Sequence, residues 1–161
     1  MGGGNHIICD MMPRIVIDTD VVLSGVISNR GASFQLLKEI AGDSFRMLLS
    51  VPLFCEYEAK LKHPEIMKRH GLSERDIDRL LNFVGDKAIR VSFHFRWRPQ
   101  LRDPNDEMVL ETAVNGGARW IVTFNVKDFQ RAAPKFGVAL LRPGPFVEMI
   151  RGATVKWDNT P

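Results

Sequence analysis

Four acidic side chains stand where strand ends and helix starts could gather them. Asp18 follows the run Arg14-Ile15-Val16-Ile17, and Glu56 lies in the helical pattern after Pro52. Asp106 sits in the turn Arg102-Asp103-Pro104-Asn105-Asp106-Glu107, and Asp128 follows Ile121-Val122-Thr123 by five residues. Carboxylates crowded into a partly desolvated pocket repel one another, and such a group persists when a cation neutralises it. A set of hard oxygen donors with no histidine or cysteine among them favours Mg²⁺ or Mn²⁺ over zinc. Ions held in that way fit phosphodiester hydrolysis, because they lower the pKa of a bound water, polarise the phosphoryl oxygen and stabilise the leaving oxygen. The structural alternative is that acids in a first helical turn complement the helix dipole. It accounts for Asp103 or Asp106 singly, but not for so dense a group.

The elements that must position these acids follow from the apolar pattern. Three β-branched residues, Ile15 to Ile17, read as a short buried strand that stops at Asp18-Thr19-Asp20. Val21 to Ile27 is mixed small and apolar. Phe34, Leu36, Leu37, Ile40 and Ala41 have helical spacing, with Gly42 as a stop. A second strand spans Phe45 to Ser50, and Pro52 opens a helix to about Lys62, ended by His63-Pro64. Helices follow over Glu65 to His70 and Ser73 to Val84, the latter with Ser73 and Asp76 as a capping pair. Ala88 to Phe93 alternates as a third strand, and a helix runs from about Asp106 to Asn115 before Gly116-Gly117. Arg119 to Thr123 gives a fourth strand, Val138 to Leu141 a fifth, and Pro143 to Ile150 a last helix. Alternating strands and helices predict an α/β domain with a parallel sheet, whose ligands bind beyond the carboxyl ends of the strands.

Composition narrows the setting. The 161 residues suit one domain, and 45% apolar with 25% charged residues is ordinary globular usage. No apolar run approaches a membrane span or a secretory signal, so the expected location is cytoplasmic and no membrane partner is expected. Cys9 and Cys55 give neither metal spacing nor a disulfide framework. Residues 1–13 read as a flexible N-terminal extension, 14–152 as the domain and 153–161 as a tail. A net charge of +3 and a pI near 9.1 permit nucleic-acid binding. The interleaved segment His94-Phe95-Arg96-Trp97-Arg98 could grip a single strand by phosphate neutralisation and base stacking, or could pack its rings while its arginines stay solvated.

The same segments carry a family resemblance. The run Ile15 to Val22, Pro52 to Leu61 with Glu56, Asp103 to Asp106 leading to Ala113, and Ile121 to Phe129 resemble the PIN-domain family, in the right order from Arg14 to about Gly152. Within it the chain is most similar to the branch assigned as toxins of toxin–antitoxin pairs. The resemblance implies a three-layer α/β/α fold with a five-stranded parallel sheet of order 3-2-1-4-5, and a Mg²⁺- or Mn²⁺-dependent ribonuclease. It implies Asp18, Glu56, Asp106 and Asp128 as the acidic quartet, with Asp18, Asp106 and Asp128 on metal. Thr19, Asp20, Asp103, Thr123 and Asn125 are expected in support.

Two positions depart from the family pattern. Asp20 stands where asparagine is usual, and Asn125 stands where many members carry the fourth acid. An RNA rim could include Arg30, Lys62, Arg96, Arg98, Arg102 and Lys127. The implied partners are an RNA substrate, a cognate antitoxin that masks the acidic pocket, and a second copy in a homodimer. The departures motivate the alternative of an inactive PIN-like module that binds RNA or protein without cutting. A flavodoxin-like nucleotide-binding domain is disfavoured, because no glycine-rich turn follows the first strand.

Overall fold

The computed structural model describes residues 12–94 and 100–158, with side chains described to residue 152. The elements in order are β1 (Arg14–Ile17), α1 (Thr19–Ile27), α2 (Ala32–Glu39), β2 (Arg46–Leu49), α3 (Val51–Leu61), α4 (Pro64–His70), α5 (Glu74–Lys87), β3 (Ile89–Arg90), α6 (Pro104–Gly116), β4 (Trp120–Val122), α7 (Val126–Phe129), a 3₁₀ turn (Ala133–Phe136), β5 (Ala139–Leu141) and α8 (Pro143–Asp158). The five strands form one all-parallel sheet of order β3-β2-β1-β4-β5. This is the α/β architecture and strand order expected from the resemblance.

The sheet is central because its inner strands, β1, β2 and β4, are mostly buried. Ile15, Val16 and Ile17 have no exposed surface, which explains why β1 reads as a continuous apolar run rather than an alternating one. Helix α6 packs against β1, β2 and β4. Near Trp120, Phe146 of α8 meets Phe45 and Trp120 edge-on, with centroids 5.6 and 6.1 Å apart. Close packing of α1 on α2 depends on Gly25, where an added Cβ would lie 2.6 Å from Leu37 Cδ1 and 2.8 Å from the Ser33 carbonyl oxygen.

Local signals fix several helix starts. Ser50 accepts a hydrogen bond from the Leu53 amide at the start of α3, and Ser73 with Asp76 forms the reciprocal capping box of α5. The third strand is shorter than the expected Ala88 to Phe93, since only Ile89 and Arg90 pair with β2. Both residues are exposed at the sheet edge, so alternation there reflects an edge segment with little to bury. Helix α7 was not anticipated, because four residues are too few to show helical periodicity. The last helix extends beyond the expected Ile150 to Asp158. Among the described residues, no helix is long and apolar enough to cross a membrane.

Candidate active site

Register builds the site. In the β1–β4 ladder Ile17 pairs with Val122, so the next residues, Asp18 and Thr123, are neighbours just beyond the carboxyl edge. The Asp18 amide continues the ladder by donating to the Val122 carbonyl at 2.9 Å. The Thr123 hydroxyl donates to Asp18 Oδ2 at 2.7 Å and accepts from the Asn125 amide at 3.0 Å. Asp18 is thereby a buried carboxylate, 4% exposed, fixed in plane by a partner 105 residues away. It precedes the first residue of α1 but makes no side-chain cap there, so capping does not account for it.

The neighbouring acids act on it electrostatically. Burial raises the Asp18 pKa from 3.8 to about 6; the Thr123 hydrogen bond opposes that rise, while the charges of Asp20 and Asp128 add to it. Asp106, half-buried in the first turn of α6, is pushed to about 7, first by burial and then by the charges of Asp18, Asp103, Asp128 and Asp20. Helix-dipole stabilisation would lower that value, so crowding and burial outweigh it. Five acids, Asp18 after β1, Asp20 in α1, Asp103 and Asp106 at the start of α6 and Asp128 in α7, therefore share one electrostatic environment. No lysine or arginine charge appears among the leading influences on either Asp18 or Asp106.

The two departures from the family pattern touch one another. Asn125 Nδ2 donates to Asp20 Oδ2 at 3.3 Å. Asp20 lies in the first turn of α1, and Asn125 precedes α7. The chain thus has a carboxylate on α1 and an amide after β4, joined across the sheet edge.

Other expected residues take varied positions. Asp103 is the N-cap of α6 and accepts from the Asn105 amide at 2.8 Å, a capping role that coexists with its charge near Asp106. Thr19 is buried at the start of α1. Glu56 is half-buried on α3 and is not among the leading charges acting on Asp18 or Asp106. Lys62, read from sequence as part of an RNA rim, is held by Glu58 at 2.8 Å and Asp78 at 2.7 Å, which raises its pKa and ties α3 to α5. Arg30, Arg102 and Lys127 are exposed, whereas Arg96 and Arg98 lie outside the described residues.

As the side chains stand, no three His, Cys, Asp or Glu residues among those described converge to enclose an ion. The expected triple of Asp18, Asp106 and Asp128 is therefore an open arrangement rather than a closed cage. Open coordination by one or two carboxylates, completed by water and substrate phosphate, is how Mg²⁺ is commonly held in phosphoryl-transfer sites. The all-oxygen donors and their uncompensated repulsion fit such an ion.

Several supports were not legible in the sequence. Tyr57, the only tyrosine, has the spacing of an apolar core residue, yet its buried hydroxyl donates to the Ile17 carbonyl at the base of the site. A buried tyrosine needs a hydrogen-bond partner, and that requirement was the available signal. The Ser50 and Thr112 hydroxyls meet at 2.7 Å and join the start of α3 to α6. Buried Glu107 accepts from the amides of Gln100 and Leu101, fastening the chain that leads into α6.

Comparison with known proteins agrees with this geometry. The family model described as PIN domain matches residues 14–127, well over half of the chain and ending one residue before Asp128. Curated proteins show no significant sequence match. Among solved structures, a chain of the VapBC2 complex from Rickettsia felis bound to a DNA fragment from its promoter is similar at a TM-score of 0.57. The identity is 15%, over 80% of this chain and 98% of that one. With its parallel sheet in the order 3-2-1-4-5 and its matched span, the chain belongs to the PIN-domain family.

Proposed function

We propose that this protein is a divalent-metal-dependent endoribonuclease and the toxin of a toxin–antitoxin pair. The observation that carries the nuclease reading is the buried Asp18 carboxylate, fixed by Thr123 and crowded by Asp20, Asp106 and Asp128 without a compensating side-chain cation among its leading influences. Such repulsion is relieved by an ion.

Asp18 and Asp106 are the primary metal ligands in this reading, and Asp128 completes the set directly or through water. A bound Mg²⁺ or Mn²⁺ would supply an activated water and a Lewis acid for the phosphoryl oxygens. The Thr123 hydroxyl holds one oxygen of Asp18, which sets the orientation of the carboxylate before substrate arrives. Asp128 takes the role of the fourth acid that many family members carry at the position of Asn125, and the Asn125 amide positions Asp20 beside the site. Glu56 on α3 is the remaining acid of the quartet in this reading.

The VapBC2 likeness supports an antitoxin partner that covers the acidic pocket, and the family resemblance supports a homodimer in the cytoplasm. A neighbouring gene for a small DNA-binding protein that co-purifies with this chain would support the pairing. The nuclease reading is tested by Asp18→Asn, which is expected to abolish Mn²⁺-dependent RNA cleavage while the far-UV dichroism stays native. Equal cleavage by variant and wild type at matched purity would refute it. Calorimetric titration with Mn²⁺ separates the alternative of an inactive binding module, for which no heat is expected at millimolar metal.

A further inference from the structure

A cavity of about 360 Å³ opens between the start of α2 and the start of α8. Its wall includes the exposed guanidinium residues Arg30 and Arg142, the exposed ring of Phe124, and Ser24 of α1. Neither arginine forms an ion pair with an acid among the described residues. Ser33, 5% exposed, also lines the cavity, and its hydroxyl has no hydrogen-bond partner among the described residues. Gly31, the N-cap of helix α2, provides no side-chain cap, and Gly31, Ala32 and Ser33 all line the cavity, so the first amides of the helix add donors there. Two cations, a free hydroxyl and uncapped amides make an anion site.

Position says which anion. Phe124 directly follows Thr123, the hydrogen-bond partner of Asp18. Ser24 lies four residues after Asp20 on α1, one helical turn or about 6 Å along the axis. The cavity therefore adjoins the acidic site, one short step along the protein surface. Phe124 is 38% exposed, a cost that a monomeric surface tolerates but that a base could cover by stacking.

We propose that this cavity binds the nucleotide next to the scissile bond of a single-stranded RNA, with Arg30 and Arg142 on its phosphate and Phe124 against its base. The assignment of RNA rests on the nuclease reading, whereas the anion site rests on the cavity itself. The acidic centre repels a polyanion, so a cationic cavity beside it supplies attraction that the catalytic carboxylates cannot.

The test is fluorescence anisotropy with a short labelled oligouridylate in EDTA, where cleavage is silent. Arg30→Ala with Arg142→Ala is expected to weaken binding at least tenfold and to reduce the slope of log affinity against log salt by about 0.7, the value for one lost phosphate contact. Arg69→Ala, an equally exposed cation on α4, should leave that slope at its wild-type value. Phe124→Leu is expected to weaken binding about five- to tenfold without changing the slope. Thermal melts confirm that the surface variants fold.

An arginine double variant with wild-type affinity and slope overturns the proposal, as does a wild-type protein that does not bind the oligomer in EDTA. If polyglutamate competes as well as oligouridylate and Phe124→Leu has no effect, the site is one for acidic peptide and the nucleotide assignment falls. Asp18→Asn should bind the oligomer but not cut it with Mn²⁺. A cutting Asp18→Asn alongside weakened arginine variants would remove the proposed catalytic role of Asp18 and leave the cavity assignment standing.

Discussion

Asp18→Asn should stabilise the metal-free protein while destroying its activity. In the fold the Asp18 pKa lies at about 6, against 3.8 for the free group. The folded chain therefore holds the proton more tightly than the unfolded one. The stabilisation due to the protonated form is fully present below about pH 4 and is lost as the pH rises through about 6. Two pKa units correspond to about 3 kcal/mol. Asparagine matches the protonated carboxyl in shape, stays neutral and still accepts from the Thr123 hydroxyl, so the variant escapes that penalty.

At pH 8 without divalent ions its melting temperature should exceed wild type by about 6–12 °C, using about 2–4 °C per kcal/mol for a chain of this size. At pH 4 the two should nearly coincide. Adding Mn²⁺ should raise the melting temperature of the wild type and not that of the variant. Scanning calorimetry across this pH range decides the matter. A variant that is less stable than wild type at pH 8, or a difference independent of pH, would refute the argument that Asp18 is an ionised group held at a cost for an ion.

Other consequences are open to measurement. Thr123→Val removes the hydroxyl that opposes the rise in the Asp18 pKa, and is expected to weaken Mn²⁺ binding about 10- to 100-fold by calorimetry. Asp20→Asn alone should lower metal affinity, and the double variant Asp20→Asn with Asn125→Asp should recover much of it, because the carboxylate and amide merely exchange ends of one hydrogen bond. Independent, additive effects of the two substitutions would contradict that pairing. Gly25→Ala should cost about 1–3 kcal/mol in urea unfolding, since the new methyl meets a backbone oxygen at 2.8 Å that cannot rotate away.

Local chemistry made much of the architecture legible. Ile15 to Ile17 announced β1 because a strand buried on both faces needs apolar residues at every position. Ser73 and Asp76 marked the start of α5 because the cap is made within one turn. Helix α7 escaped because four residues are too few to show helical periodicity, whereas the third strand was expected over Ala88 to Phe93 and pairs only at Ile89 and Arg90, since alternation does not say where an edge strand stops pairing. The acids at 18, 106 and 128 were visible from their places beside strand ends, and the resemblance ordered them. The ion pairs of Lys62 were not legible, since a lysine's spacing says nothing of whether acids on its own or another helix pair with it.

The sequence by itself determined the residue types available for chemistry and most of the succession of strands and helices. Tertiary structure alone decided how they act. The register between β1 and β4 brought Thr123 to Asp18 and Asn125 to Asp20, each across 105 residues. It also placed Phe124, Arg30 and Arg142 around one cavity. Hydropathy and capping are local and repeat with the backbone period, whereas hydrogen bonds between strand ends, and the burial and then repulsion that lift Asp18 and Asp106, exist only once the sheet is closed.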